Sequence, residues 1–374
     1  MKKEIAYLII YLAKCAINGE TPDVKYLEGV NMDELYDASF KHKVSGTLCV
    51  ALQKCGKATP KFTNMMLNTT RQNIVMDAEA RNIYKFMEDN GIWFMPVKGE
   101  LIEKYYPARG MRTRSDCDIL YDTTYDEKLR DFFISRGYEV THFREQVEDV
   151  YKKAPVFYFE MHRTLFDEKR HANYAGYYNA KLPELFEGQG YHKKLNYNDS
   201  YIFSAIHNIK HLLGKGVGFR LIFDEYVLLK AGEKNGLDLE YVDNEIAKAG
   251  VLDSEHLVRN FTTKLMEAPF PTEADLTEEE QNFLDELCES GVYGTFDIKI
   301  KHTLNNYQKD GSSKFGAKFK MIMKGLFPNA SEMKKRFPVL KKCMILLPFC
   351  YIIRLFTLPF KKKARAKAKM ISDK

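Results

Sequence analysis

Asp116 and Asp118 stand two residues apart in the stretch Asp116-Cys117-Asp118-Ile119-Leu120-Tyr121, whose apolar end suggests a strand. Alternate residues of a strand share a face, so both carboxylates point the same way. Glu160 offers a third acid within PVFYFEMHR (155–163), where alternation puts Val156, Tyr158, Glu160 and His162 on one face and Phe157, Phe159 and Met161 on the other. Upstream, the short apolar run Ile92–Val97 ends in Lys98-Gly99. A lysine there supplies a point charge, and a glycine lets backbone amides at a following helix start face a phosphate. Arg112 and Arg114 are close enough in sequence to reach phosphates as well. Acids for a hard divalent cation, beside cations for phosphate, are the requirements of nucleotidyl transfer. Metal ions stabilise charge on the attacked phosphorus, a carboxylate assists the incoming hydroxyl, and donors hold the leaving pyrophosphate. Mg²⁺ (or Mn²⁺) suits the oxygen ligands Asp116, Asp118 and Glu160.

The ordered set is more specific than any member. Val97-Lys98-Gly99-Glu100-Leu101, then Tyr106-Pro107, then Arg112-x-x-x-Asp116-x-Asp118-Ile119-Leu120 resembles the uncharacterised nucleotidyltransferase family (the NTP transferase 5 group) of the polymerase-β-like superfamily. That family shows LKG, YP, RxxxDxDLLV and a later DLH strand. Here Glu160-Met161-His162 stands at the DLH place, His207 and His211 at the place of paired histidines, and Asp224 in a later helix. Gly294 and Leu326-Phe327-Pro328 also fit, and the likeness runs over about 30–355. The resemblance implies Asp116 and Asp118 as metal ligands and Glu160 as the third acid. Lys98-Gly99 replaces the Gly-Ser turn of the wider superfamily. Glu160 departs from the expected Asp, and its longer stem moves the carboxylate outward.

Other residues extend a substrate pocket. His162 shares the Glu160 face, where it would touch substrate or orient the acid. His207 and His211 lie at i, i+4 on one helix face, as do Arg220 and Asp224 on the next helix. The histidines suit substrate or phosphate contact, helix packing, or an N/N/O metal site with Asp224. Arg220 and Asp224 are expected to form an ion pair that shapes the pocket. Cys117 points to the opposite side of its strand, into the core.

The elements that must hold these residues read as α+β: a nucleotidyltransferase-type mixed β-sheet core with an N-terminal helical cap and a C-terminal helical lobe. Residues 1–90 read as helices. Ile5, Leu8, Ile9 and Leu12 have helical spacing, Asn31 is a candidate N-cap, and Asn90-Gly91 ends a long helix from about Thr63. Residues 91–198 form the core in the order β-α-β-α-β-β-β, with 164–198 irregular. Asp199 starts the lobe (199–330) as a candidate N-cap; helices follow near 219–231, 239–249, 254–267 and 277–289, then a lysine-rich loop from Gly291 to about Phe319.

Composition is that of an ordinary globular chain of 374 residues, 45% apolar and 29% charged. Seven scattered cysteines with no CxxC argue against a disulfide framework or zinc site and suit a reducing cytosol. The N-terminus reads as a helix rather than a signal peptide. The net charge of +6 is concentrated in the tail, 331–374, which carries 13 Lys/Arg against Glu332 and Asp373. The remainder is acidic overall, which argues against a nucleic-acid-binding body. Within the tail, Met344–Phe360 is apolar but short for a span, and lysines flank it, ending in KKKARAKAK. It suits a helix lying on an anionic surface or one packed on the domain.

These features predict a cytoplasmic, metal-dependent nucleotidyltransferase that moves an NMP from an NTP to a hydroxyl or phosphate acceptor, with peripheral membrane contact through 331–374. Two alternatives follow from the same residues. One is a non-catalytic nucleotide- or glycan-precursor-binding module at a membrane. The other is a toxin-like transferase acting on a tRNA end, whose contacts the basic tail would supply.

Overall fold

The computed structural model of the chain describes residues 1–168, 171–188, 190–291, 294, 296–309 and 313–357. The helical N-terminal part comprises α1 (Lys3–Asn18), α2 (Met32–Lys41), α3 (Ser45–Lys54) and α4 (Pro60–Asp89). Twelve of the sixteen residues of α1 are buried, so this helix is a core element with almost no solvent face. Asn31 caps α2 as expected, its Oδ1 accepting from the amides of Asp33 and Glu34 at 3.0 and 3.2 Å.

The sheet follows in the expected order: β1 (Phe94–Val97), α5 (Gly99–Glu103), β2 (Cys117–Tyr121), α6 (Asp126–Ser135), β3 (Glu139–His142), β4 (Glu148–Lys153) and β5 (Phe157–His162). The spatial order is β1-β2-β5-β4-β3, with β2 and β5 parallel and the other pairs antiparallel. Two-residue periodicity divides the sheet into two buried faces. Phe94, Cys117, Ile119, Tyr121, Phe159 and Met161 pack on α4 and α6 through Met76, Ile83, Met87, Leu129 and Phe133. Met95, Val97 and Leu120 belong to the second core. Asp118, Glu160 and His162 share that second face.

The helical lobe consists of α7 (Ala172–Leu185), α8 (Tyr197–Lys215), α9 (Arg220–Asn235), α10 (Leu239–Lys248), α11 (Leu252–Glu267) and α12 (Glu278–Ser290). Side chains from α1, α3, α8, α9 and α11 join in one large hydrophobic core. Residues 164–198 are not irregular throughout, because α7 lies within them; Ala175 and Tyr178 are buried at i, i+3, and that packing outweighs a Tyr-, Asn- and Gly-rich composition. The helix expected from Asp199 begins at Tyr197, and Asn196 Oδ1 accepts from the Asp199 amide at 2.9 Å.

The chain divides into two compact units, 1–212 with 217–292, and 213–216 with 293–374. In the second, the stretch read as a lysine-rich loop contains α13 (Phe296–Lys309) and the start of α14 (Lys314–Leu326). Ile300 and Leu304 at i, i+4 on α13 bury against Ala317 and Met321 on α14, a pairing that the intervening polar residues hide. After α15 (Ala330–Arg336) comes α16 (Leu347–Thr357), preceded by a short 3-10 turn over Met344–Leu346. Residues 358–360 and the KKKARAKAK run lie outside the described residues. Among those described, no helix is long and apolar enough to cross a membrane.

Candidate active site

Asp118 and Glu160 are paired in register on the parallel strands β2 and β5, and Leu120 is paired with His162 one step further along the same face. On the other side of β2, Val97 of β1 is paired with Asp118. The chain leaves β1 through Lys98, which has the positive φ of 57° that non-glycine residues rarely adopt. That turn brings the lysine back over the acids. Lys98 Nζ donates to Asp118 Oδ1, lies 3.1 Å from His162 Nε2 and is 3.7 Å from Glu160 Oε2. His162 Nε2 also approaches Asp118 Oδ1 to 2.8 Å. Asp116 immediately precedes β2 and is close enough for its charge to act on Asp118, Glu160 and Lys98.

Burial would push the Asp118 carboxyl up, but Lys98 and His162 more than offset it and hold the group well below the usual carboxylate range. Glu160 is pushed up to about 8 by burial and by the negative charge of Asp118, with Lys98 opposing. Asp116 moves upward for the same two reasons. Burial and the Lys98 charge lower His162 against the pull of Asp118. Lys98 itself is raised, because Asp118 and Glu160 outweigh the cost of its burial.

A hard cation fits this donor set. Ligand atoms of Asp118, Glu160 and His162 lie within 4.8 Å of one another, and the acids already hold the Lys98 ammonium. The close trio therefore differs in one member from the set Asp116, Asp118 and Glu160 read from the sequence. A second trio, Asp243, Glu255 and His256, is crossed by Arg259, whose Nη2 is 2.9 Å from Glu255 and also pairs with Asp243. That guanidinium already occupies carboxylate oxygens of both acids.

The arginines are arranged otherwise than their sequence proximity to the acids suggests. Arg112 grips Asp224 with two hydrogen bonds of 2.8 and 2.9 Å and donates to the Gly99 carbonyl at 3.1 Å. Arg114 pairs with Asp77 and, at 2.9 Å, with Glu103. Both guanidiniums are buried on internal carboxylates. Gly99 is explained by the same packing, since a Cβ there would stand 3.0 Å from Arg112 Nη1. The expected ion pair between Arg220 and Asp224 is not formed. Asp224 is taken by Arg112 and by the hydroxyl of Tyr106, which donates to it at 2.8 Å. Burial and the neighbouring Arg112 charge lower Arg220, against the pull of Asp224 and Asp116.

His207 and His211 meet each other, Nε2 to Nε2, at 3.0 Å. His207 is held well below its ordinary value by burial, with the charges of Lys210, Lys98 and His162 contributing. Its Nδ1, like that of His162, is buried and has no hydrogen-bond partner among the described residues. Asp224 joins neither histidine, and no three-ligand group among the described residues includes the pair.

The profile of the family described as "uncharacterised nucleotidyltransferase" matches residues 28–267. The chain belongs to that family. No curated protein matches it, and no solved structure does. The family match takes in the whole sheet, every residue of the acid face, and α8 to α11. It ends at Glu267, so Gly294 and Leu326-Phe327-Pro328 fall beyond it. Membership in this nucleotidyltransferase family implies a nucleotide substrate. Tyr106, which bonds Asp224, and Asp77 and Glu103, which fasten Arg114, escaped the sequence reading as contacts of the site; the Tyr106-Pro107 motif was the signal for the first, and nothing in the local sequence marked the other two.

Proposed function

We propose that the face formed by Asp118, Glu160, His162 and Lys98 binds an NTP with Mg²⁺ or Mn²⁺ and transfers its NMP to a hydroxyl or phosphate acceptor. The observation that carries this reading is the register of β2 and β5, which sets two carboxylates side by side within reach of a lysine. Asp118 and Glu160, with Asp116 beside them, are the oxygen donors for the ion, which when bound would neutralise triphosphate charge. His162 orients Asp118 through its 2.8 Å contact. Lys98 and Arg220 supply positive charge for the phosphates. With a hydroxyl acceptor, the acceptor oxygen bonds to the α-phosphorus, the bond from that phosphorus to the bridging oxygen breaks, and pyrophosphate leaves. The hydroxyl proton passes to Glu160, the carboxylate that the strand register sets beside Asp118.

The test is a screen of the four NTPs with Mg²⁺ or Mn²⁺ and an acceptor panel, run on wild type, Asp116→Ala and Asp118→Ala. The variants should lose turnover and bind NTP–Mg²⁺ far more weakly. Equal binding and surviving turnover would overturn the assignment. One observation favours a second reading, nucleotide binding without transfer: Lys98 already neutralises Asp118. Metal-dependent NTP binding, abolished in Asp118→Ala, with no turnover of any NTP would select it.

A further inference from the structure

In the unit formed by the C-terminal helices, α16 is packed with its polar residue inward. Arg354 is buried and donates to the carbonyls of Gly325 at 2.7 Å and Leu326 at 3.2 Å, closing the C-terminal end of α14. Cys350, one turn earlier, joins Met333 and Leu340 in a small core. The opposite side of the helix presents Phe349, Ile352, Ile353 and Phe356, spaced i, i+3, i+4, i+7, all half or more exposed. Ile345, just before the helix, is 83% exposed. On α14, Phe315, Phe319 and Ile322 are likewise exposed at i, i+4, i+7, while Ala317 and Met321 pack on α13.

A side chain that ties its guanidinium to two carbonyls fixes the rotation of α16, so the apolar face is held outward. Single exposed apolar residues are ordinary, but a stripe of four on one helix, joined to a second helix with its own stripe, marks a surface that meets something apolar. The charge nearby selects the occupant. The segment 331–374 carries 13 Lys/Arg and two acids, and in sequence the stripe is followed directly by Leu-Pro-Phe-Lys-Lys-Lys. A second copy would bring an equal positive charge, which opposes self-pairing. An anionic bilayer offers the opposite charge and a hydrocarbon layer shallow enough for one helix face. No described helix is long and apolar enough to span.

We infer that the outward face of α16, together with that of α14, docks the protein on anionic lipid: the stripe enters the headgroup boundary, and the net positive charge of the C-terminal sequence favours an anionic over a neutral surface. This docking is independent of the chemistry at Asp118.

Flotation of the full chain with vesicles tests it. Vesicles of phosphatidylcholine and phosphatidylglycerol in equal parts should carry the protein at low salt, and phosphatidylcholine vesicles should carry at least tenfold less. The double variant Phe349→Ser/Ile353→Ser, whose substituted side chains are exposed and so should fold as wild type, should partition at least tenfold more weakly. Phe349→Trp gives a second readout. Its emission should shift to the blue on anionic vesicles by more than that of wild type, which carries Trp93 alone. Three results would each overturn the inference: no flotation with anionic vesicles, wild-type flotation by the double variant, or an oligomer that the double variant disperses while neither protein binds vesicles.

Discussion

The Lys98 ammonium is bound to Asp118 Oδ1, the same oxygen that His162 Nε2 approaches to 2.8 Å. Lys98 thus stands where a cation is wanted by two carboxylates. Removing it with Lys98→Met leaves Asp118 and Glu160 facing each other without that charge. The variant is expected to lose about 2 kcal/mol of stability in metal-free buffer, the cost of a buried charged group left short of a partner. Mn²⁺ should restore much of the loss, because an ion that binds the native state stabilises it by mass action. Urea denaturation with and without Mn²⁺ measures both effects. A variant that is destabilised yet gains no more from Mn²⁺ than wild type would remove the case for a metal at this face.

Arg112 and Asp224 present the opposite situation, a guanidinium and a carboxylate that satisfy each other. Deleting one partner of such a buried pair strands the other, at a cost of about 3–5 kcal/mol. Arg112→Ala and Asp224→Ala should each show a loss of that size in chemical denaturation. The double variant should lose much less than the sum of the two, since neither charge is then left alone. Additive losses would mean that the two side chains do not act as a pair.

Among the described residues Arg220 has no such partner in hydrogen-bond or ion-pair contact, yet its charge acts on Asp116 and Asp224. If it meets phosphate, Arg220→Gln should weaken NTP binding by at least about tenfold, the equivalent of one charge-assisted contact. Its melting temperature should stay within about 1 °C of wild type, which corresponds to less than about 1 kcal/mol for a chain of this size. Calorimetric titration with a non-hydrolysable NTP and Mg²⁺, beside a thermal melt, separates the two roles. A large drop in stability with unchanged affinity would assign Arg220 to the scaffold.

How far the site could be read from the sequence depends on the range of each contact. Two-residue periodicity was enough to put Glu160 and His162 on one face, because strand geometry alone dictates it. The register that sets Glu160 beside Asp118 was not legible, since it is fixed by the packing of α4 and α6 under the sheet. The seat of Lys98 was hidden by its positive φ, which no local preference of lysine announces. The partner of Asp224 was misjudged because Arg220 is four residues away and Arg112 is over a hundred. Burial decided between them by placing Arg112 and Asp224 in one core. For α7 and α13, intrinsic preference pointed away from helix and tertiary contacts prevailed.

Away from the site, Tyr201 bridges Glu225 and Glu255, donating to the first and lying 2.9 Å from the second. One hydroxyl hydrogen cannot serve two ionised carboxylates, so one acid must keep its proton. Burial pushes both upward, but Arg259 sits 2.9 Å from Glu255 and restrains it. Glu225 is therefore the protonated member, pushed up to about 8 by burial and by the charge of Glu255. Its ordinary value is 4.5. Between those two pH values the native state keeps a proton that the unfolded chain has released, so stability falls as pH rises through the window. The slope from this group is at most about 1.4 kcal/mol per pH unit. Glu225→Gln mimics the protonated form at every pH. It should match wild type near pH 5 and exceed it by about 3 kcal/mol near pH 7.5. Urea midpoints measured across that range, compared as a difference between the two proteins, cancel the titrations they share. A difference that does not change with pH would show that Glu225 is ionised in the folded protein and that Tyr201 is shared in some other way.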